Sequence, residues 1–177
     1  MPSARQLVIE PATGRLVFSL AAVDRICELA ARQPYLIQSL CHQVFTLSTE
    51  RGDHAVAPEM VEEAAQRFAE SSNYFRDVFR TYIRSARQRY LSFLIDESAK
   101  GPDRVRFELL FTKLEEAGLP YTRMALKQDL EELRELEVAA IEETAFGVSY
   151  RINVPLFSLW LHENEDPDTH LAAARLE

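Results

Sequence analysis

The stretch Val138–Val154, "VAAIEETAFGVSYRINV", is where the apolar period of the chain changes. Before it, apolar residues return every three to four positions; inside it they alternate, which is the spacing of a strand with one buried face. "VAAIEE" and "VSYRINV" are therefore predicted to be short strands, and "TAFG" between them is the turn of a hairpin. Working back from the hairpin, Leu126, Leu130, Leu133 and Leu136 define one face of a helix that Thr122 can cap with its hydroxyl. Gly118 stands where a left-handed residue would end the preceding helix, whose inward face is Phe107, Leu110, Phe111 and Leu114. "RVRF" is a short extended piece, "KGPD" a turn, and "RQRYLSFLIDES" a helix. Forward from the hairpin, Pro155 can open a final short helix, "PLFSLWLHEN", in which Trp160 with Leu156, Phe157 and Leu161 is most economically core.

Helix, strand, helix, helix, hairpin is the order of a winged helix, and it is expected over residues 85–165. Residues 166–177 read as a polar tail. The first 84 residues keep a helical period throughout. Pro11 and Gly14 break "RQLVIEPATGRLVF" into an extended entry, and Ser19 is an N-cap. Val23, Ile26, Cys27 and Ala30 then form one stripe, and Ile37, Leu40, Cys41, Val44 and Phe45 a second that begins at Pro34. Pro58 opens a third helix with Val61, Ala64, Ala65 and Phe68 inward, and a fourth carries Phe75, Val78, Phe79 and Tyr82. The expected fold class is mainly α: a helical bundle followed by an α+β domain with a small β-hairpin wing.

Composition narrows the functions. The 177 residues carry a net charge of −8, and residues from Thr81 onward account for −6 of it. Such a balance opposes a free-standing nucleic-acid binder, whose footprint is a basic patch. "MPSARQLVIEP" lacks the apolar core of a signal peptide, and no apolar run approaches ~18 residues, so a reduced, cytoplasmic setting is the default expectation. Cys27 and Cys41 sit in apolar helical surroundings and read as buried free thiols. With His42 they are the sole soft-ligand cluster, too few and too divergent in direction for a structural zinc. A phosphate-cradling loop needs GxxxxGK[ST]; Gly14, Gly52, Gly101, Gly118 and Gly147 supply no such spacing. Nor do Ser, His, Cys and Asp fall into a nucleophilic arrangement, and Glu62–Glu63 and Glu142–Glu143 read as solvated faces. No catalytic or metal residue is expected, and the chain is not expected to be an enzyme alone.

One interruption calls for explanation. In "LAARQPYLIQSLCHQVF" a proline followed by an aromatic divides two apolar helices. This stretch resembles the helical lid of P-loop ATPases of the AAA+/STAND kind, in which an apolar helix, a Gly-Gly-x-Pro-Tyr turn and a second helix follow each other. Pro34, Tyr35, Leu36, Gln38, Leu40 and Cys41 carry the likeness. "LVIEPATGRLVFSLAAVDRICELA" resembles the lead-in from the nucleotide-binding core, and "YRINVPLFSLWLHEN" the end of the winged helix that follows the lid; together they cover about residues 6 to 165. The resemblance implies a C-terminal regulatory part of a longer ATPase, with ATP or ADP and Mg held in a P-loop core outside these residues. It also implies a nucleotide-edge site at Arg32, Gln33, Pro34 and Tyr35, with Tyr35 packing behind Pro34. The family's paired glycines are replaced by Arg32 and Gln33. Arg32 is then placed to reach a phosphate, or the turn has lost nucleotide contact, or it is a helix corner that only packs.

The expected partners are the P-loop core and a further protein met through the winged helix. The alternative is a DNA-binding regulator in which Arg123, Lys127 and Arg134 touch the duplex. A helical wheel on "TRMALKQDLEELRELEV" puts these three on the flank and Gln128, Glu131, Glu132 and Glu135 outermost. Carboxylates facing phosphates oppose the term that dominates nucleic-acid affinity.

Overall fold

A computed structural model describes residues 3–99, 104–144 and 147–177. The chain is mainly helical with one small antiparallel hairpin, as the change of period predicts. The "KGPD" turn and the centre of "TAFG" lie outside the described residues.

In chain order the elements are α1 (Ala4–Ala12), β1 (Val17–Phe18), α2 (Leu20–Leu29), α3 (Pro34–Arg51), β2 (Ala55–Val56), α4 (Pro58–Ser71) and α5 (Asn73–Asp77). A π-helical turn, Val78–Tyr82, continues α5. There follow α6 (Ala86–Ser98), β3 (Val105–Arg106), α7 (Phe107–Glu116), α8 (Arg123–Glu135), β4 (Ala139–Thr144), β5 (Gly147–Ile152), α9 (Pro155–Asn164) and α10 (Pro167–Ala174). Contacts divide the chain into two compact units, residues 1–72 with 154–163, and residues 73–153 with 164–177. The division does not fall at residue 84: α5 and its π-helical turn belong to the second unit, and Val154–Glu163 to the first. Leu156, Phe157, Trp160 and Leu161 are all buried there. Apolar spacing shows that a helix has a core face but not which core receives it.

In the first unit, the Ser19 hydroxyl accepts from the Ala22 N–H at 3.1 Å and starts α2. Pro34 and Pro58 occupy the first turns of α3 and α4, where an N–H would lack a partner. β1 and β2 pair in parallel, Val17 beside Ala55 and Phe18 beside Val56. Residues 4–12, expected to be extended, are helical. Ser3 and Gln6 form a reciprocal capping box, the Gln6 side chain accepting from the Ser3 N–H at 2.7 Å and the Ser3 hydroxyl accepting from the Gln6 N–H at 3.3 Å. Pro11 is tolerated because it falls in the last turn. Phe45, predicted to face inward, is 39% exposed at the margin of the α3 stripe.

Cys27 is buried and Cys41 half-buried, and both are free thiols. Burial pushes the Cys41 thiol up to about 12 and also raises Cys27. At pH 8 only about one Cys41 in 10⁴ is then thiolate, the reactive form. Iodoacetamide at that pH is expected to leave Cys41 unmodified in the folded protein and to alkylate it rapidly in urea. Equal rates in both states would contradict this burial.

In the second unit the sheet order is β3-β5-β4, all antiparallel, with the hairpin running from Ala139 beside Ile152 to Thr144 beside Gly147. Val105, Ala139, Tyr150 and Ile152 point to the core, where they join Leu110, Leu114, Leu126, Leu130 and Leu133. Thr122 caps α8 by accepting from the Ala125 N–H at 3.1 Å. Gly118, with φ of 74°, closes α7 through bonds of residues 117–119 to carbonyls of its last turn.

The segment read as a polar tail contains α10, which packs along α6. The Asp166 carboxylate caps it, accepting from the N–H groups of Asp168 and Thr169. Arg175 donates twice to the Ala117 carbonyl, at 3.1 and 2.7 Å, and Glu177 accepts from Ala86 N–H at 2.8 Å at the start of α6. Residues just past the C-terminal end of α10 thereby satisfy termini of α6 and α7 whose backbone groups lack partners of their own. Among the described residues, no helix is long and apolar enough to cross a membrane.

Candidate functional site

The turn between α2 and α3 carries two consecutive left-handed non-glycine residues, a pair found nowhere else among the described residues. Ala31 and Arg32 have φ of 46° and 58°, two consecutive non-glycine residues in the left-handed region. Each costs roughly 1–2 kcal/mol relative to right-handed backbone. The hydrogen bonds show what holds them. Ala31 N–H donates to Glu28 O at 3.0 Å and Arg32 N–H to Cys27 O at 2.9 Å, the paired closure of a Schellman cap. Gln33 N–H then donates to Ala30 O at 2.9 Å, and Gln33 returns to extended backbone before Pro34.

In a Gly-Gly-x-Pro-Tyr pattern with x at Gln33, the glycine positions are Ala31 and Arg32, the two residues with positive φ. The resemblance set the replaced glycines at Arg32 and Gln33, whereas positive φ falls at Ala31 and Arg32. Ala and Arg here occupy the conformation that glycine adopts without penalty. Arg32, Pro34 and Tyr35 are exposed, and Gln33 is half-buried. Tyr35, which the resemblance places behind Pro34, is 57% exposed. A guanidinium and a phenol ring beside one tight turn can pair with an anionic oxygen and stack on a planar ring.

The strain is open to direct measurement. Arg32→Gly relieves the left-handed penalty but adds chain entropy to the unfolded state, leaving an expected net gain of about 0.5–1 kcal/mol. A higher urea midpoint with an unchanged slope is the predicted result. A loss of stability would mean that the Arg32 side chain contributes more than its backbone costs.

The second candidate surface is α8. Arg123, Lys127 and Arg134 are exposed, as are Gln128, Glu131, Glu132 and Glu135. Arg123 forms a two-pronged pair with Glu108, both contacts 2.6 Å, and lies over the Phe111 ring at 5.0 Å and Phe107 at 5.9 Å. Arg134 pairs with Glu131, its Nε donating at 3.0 Å. These arginines hold the Glu108 and Glu131 carboxyls below the usual carboxylate range. Two of the three cations proposed for DNA contact are thus already engaged by carboxylates. Glu62 and Glu63 are likewise ion-paired, with Arg25 and with Arg51 and Arg67.

A buried polar cluster escapes the helix-wheel reading. Asp129, 4% exposed, accepts from Arg87 Nε at 3.0 Å, Gln88 Nε2 at 3.0 Å and the Tyr121 hydroxyl at 2.6 Å. Arg87 also lies 4.7 Å from the centre of the Tyr121 ring. Burial, then donation to Asp129, pushes the Tyr121 hydroxyl well above the ordinary phenol value, so it remains a donor. The available signal was positional: residue 129 stands three after Leu126 and four before Leu133, on the inward flank of α8. The cluster joins α6 to α8 around the buried Asp129 carboxylate.

Among known proteins, no family model, no curated protein and no solved structure matches the chain.

Proposed function

We propose that this chain is the regulatory lid and winged-helix region of a STAND-like P-loop ATPase, acting in the cytoplasm without chemistry of its own. The first unit lies over the edge of a nucleotide site in a P-loop core outside these residues. The second unit, a winged helix in this reading, meets another protein. Nucleotide in the core favours one setting of the lid over another, and partner binding follows that preference. The observation that supports the reading above all is the pair of positive φ values at Ala31 and Arg32, directly before Gln33-Pro34-Tyr35. The cap bonds to Glu28 and Cys27 hold both residues there, and strain of this kind gathers at ligand edges and switches. The β3-β5-β4 order around α7 and α8 supports the winged-helix part.

The test is Arg32→Ala in the full-length ATPase, with nucleotide affinity and turnover as readouts. A phosphate contact predicts a loss of about tenfold in ATP affinity, as for one charge-assisted hydrogen bond. Unchanged affinity and turnover would end the nucleotide role of this turn. The DNA-binding alternative is weighed down by the Arg123–Glu108 and Arg134–Glu131 pairs. Duplex DNA is accordingly expected to show no salt-sensitive binding to the 177-residue protein between about 50 and 200 mM salt. Affinity that falls steeply across that range would favour the alternative.

A further inference from the structure

We propose that the face of the three-stranded sheet turned away from the core binds a phosphorylated segment of a partner protein, with the phosphoryl group held by Arg104, Arg106 and Arg151. This inference does not depend on the reading of the lid turn.

The register puts Val105 beside Tyr150 and Arg106 beside Ser149, and across the hairpin Ala140 beside Arg151 and Glu142 beside Ser149. Side chains alternate along a strand, and Val105, Tyr150 and Ile152 take the core face. Arg106, Ser149, Glu142, Arg151 and Ala140 therefore share the other face. Arg104, two residues before Arg106, joins them. It forms an ion pair with Glu142, and it acts on Arg151 as a like charge. Strands lie about 4.8 Å apart and same-face residues about 6.6 Å apart along a strand, so the three arginines stand within roughly 10 Å at their backbones.

A chain with a net charge of −8 here concentrates three cations against one carboxylate, a local excess of two positive charges. Ala140 and Ser149, both small, share this face with the arginines. One guanidinium is already positioned: Arg151 donates from Nη1 to the carbonyls of Ile152 and Asn153, at 3.0 and 3.3 Å. Arg106 is exposed and has no carboxylate partner among the described residues. Burial and the neighbouring Arg104 lower the pKa of Arg151.

A phosphomonoester matches this arrangement in charge, close to −2 at neutral pH, and its oxygens accept the forked donors of arginine. A nucleic-acid backbone fits less well. It extends beyond a patch this small, and α8, packed beside β4, exposes Glu131, Glu132 and Glu135. A short peptide meets the arginines without meeting those carboxylates.

The test uses the whole protein and a pentapeptide, Gly-Ala-phosphoserine-Ala-Gly, with its unphosphorylated twin. Titration followed through arginine Nε–H resonances is expected to shift Arg104, Arg106 and Arg151, with the phosphopeptide bound at least tenfold more tightly than the twin. Arg106→Gln with Arg151→Gln is expected to remove that difference while the remaining amide spectrum stays that of a folded protein. Arg106→Gln alone, at an exposed position, keeps the test intact if the double variant fails to fold, and should weaken phosphopeptide binding severalfold. Equal binding of the two peptides, or phosphopeptide binding indifferent to Arg106→Gln, would overturn the proposal. So would a duplex of about 20 base pairs that engages the same arginines more tightly than the phosphopeptide at about 150 mM salt.

Discussion

Asp129→Ala is expected to destabilise the second unit by about 3 kcal/mol. The carboxylate is 4% exposed and receives three donors, from Arg87, Gln88 and Tyr121. Removing one partner of a buried pair leaves the others desolvated and unpaired, at a cost of about 3–5 kcal/mol. Arg87 can turn part of its guanidinium to water, since its side chain is 35% exposed, which puts the expected loss at the lower end. The buried Tyr121 hydroxyl has no such route, whereas the Gln88 amide keeps its second acceptor, the Glu132 carboxylate. Asp129→Asn keeps an acceptor without the charge and should cost about half as much. Urea unfolding followed by circular dichroism gives the size of the loss. Amide exchange should place it in α6 and α8, the helices that Asp129 joins. A change below about 1 kcal/mol for Asp129→Ala would mean that the cluster adds little beyond its own desolvation.

Trp160→Ala carries a comparable penalty in the first unit, about 4 kcal/mol. Its ring is 1% exposed and stacks on Phe157 with 5.9 Å between ring centres. Truncation there loses both the transfer energy of the side chain and the contacts around the cavity it leaves. Trp160→Phe should recover more than half of the loss, because most of the volume is restored. The measurement separates two readings of a lone tryptophan near a domain end. If Trp160 were an anchor for a partner, its removal would weaken partner binding and leave the urea midpoint in place. A shift of the midpoint by several kilocalories is the result its burial predicts.

Much of this fold is legible because two periods, 3.6 and 2, report burial directly. Leu126, Leu130 and Leu133 mark the inner face of α8, and alternation across Val138–Val154 marks the hairpin. Thr122 and Ser19 cap where short hydroxyl side chains next to an apolar stripe should cap. What stayed hidden depends on contacts distant in sequence. Residues 167–174 have Leu171 as their one large apolar side chain, and their helix is held by Arg175 on Ala117 and by packing on α6. The first helix was obscured by Pro11, whose breaking effect is small in a last turn, while the Ser3-x-x-Gln6 signal outweighed it.

The candidate sites follow the same logic. Pro34 and Tyr35 announce a turn, but left-handed backbone is ordinarily read from glycine, and Ala31 and Arg32 give no such sign. Their strain becomes visible with the bonds to Glu28 and Cys27 that impose it. Arg104, Arg106 and Arg151 are scattered over 48 positions and converge only through the pairing of β3 with β5. Charges that look diluted along a chain can be concentrated by register.

The measurement that tests the central claim most directly is the nucleotide sequence of the source locus upstream of the codon for Met1. A regulatory lid in the same polypeptide as its P-loop core predicts an open reading frame that continues in register. That frame should reach a GxxxxGK[ST] motif within about one large domain, ~250 residues. An in-frame stop before any such motif would contradict the account, and the strained turn at Ala31 and Arg32 would then need another ligand.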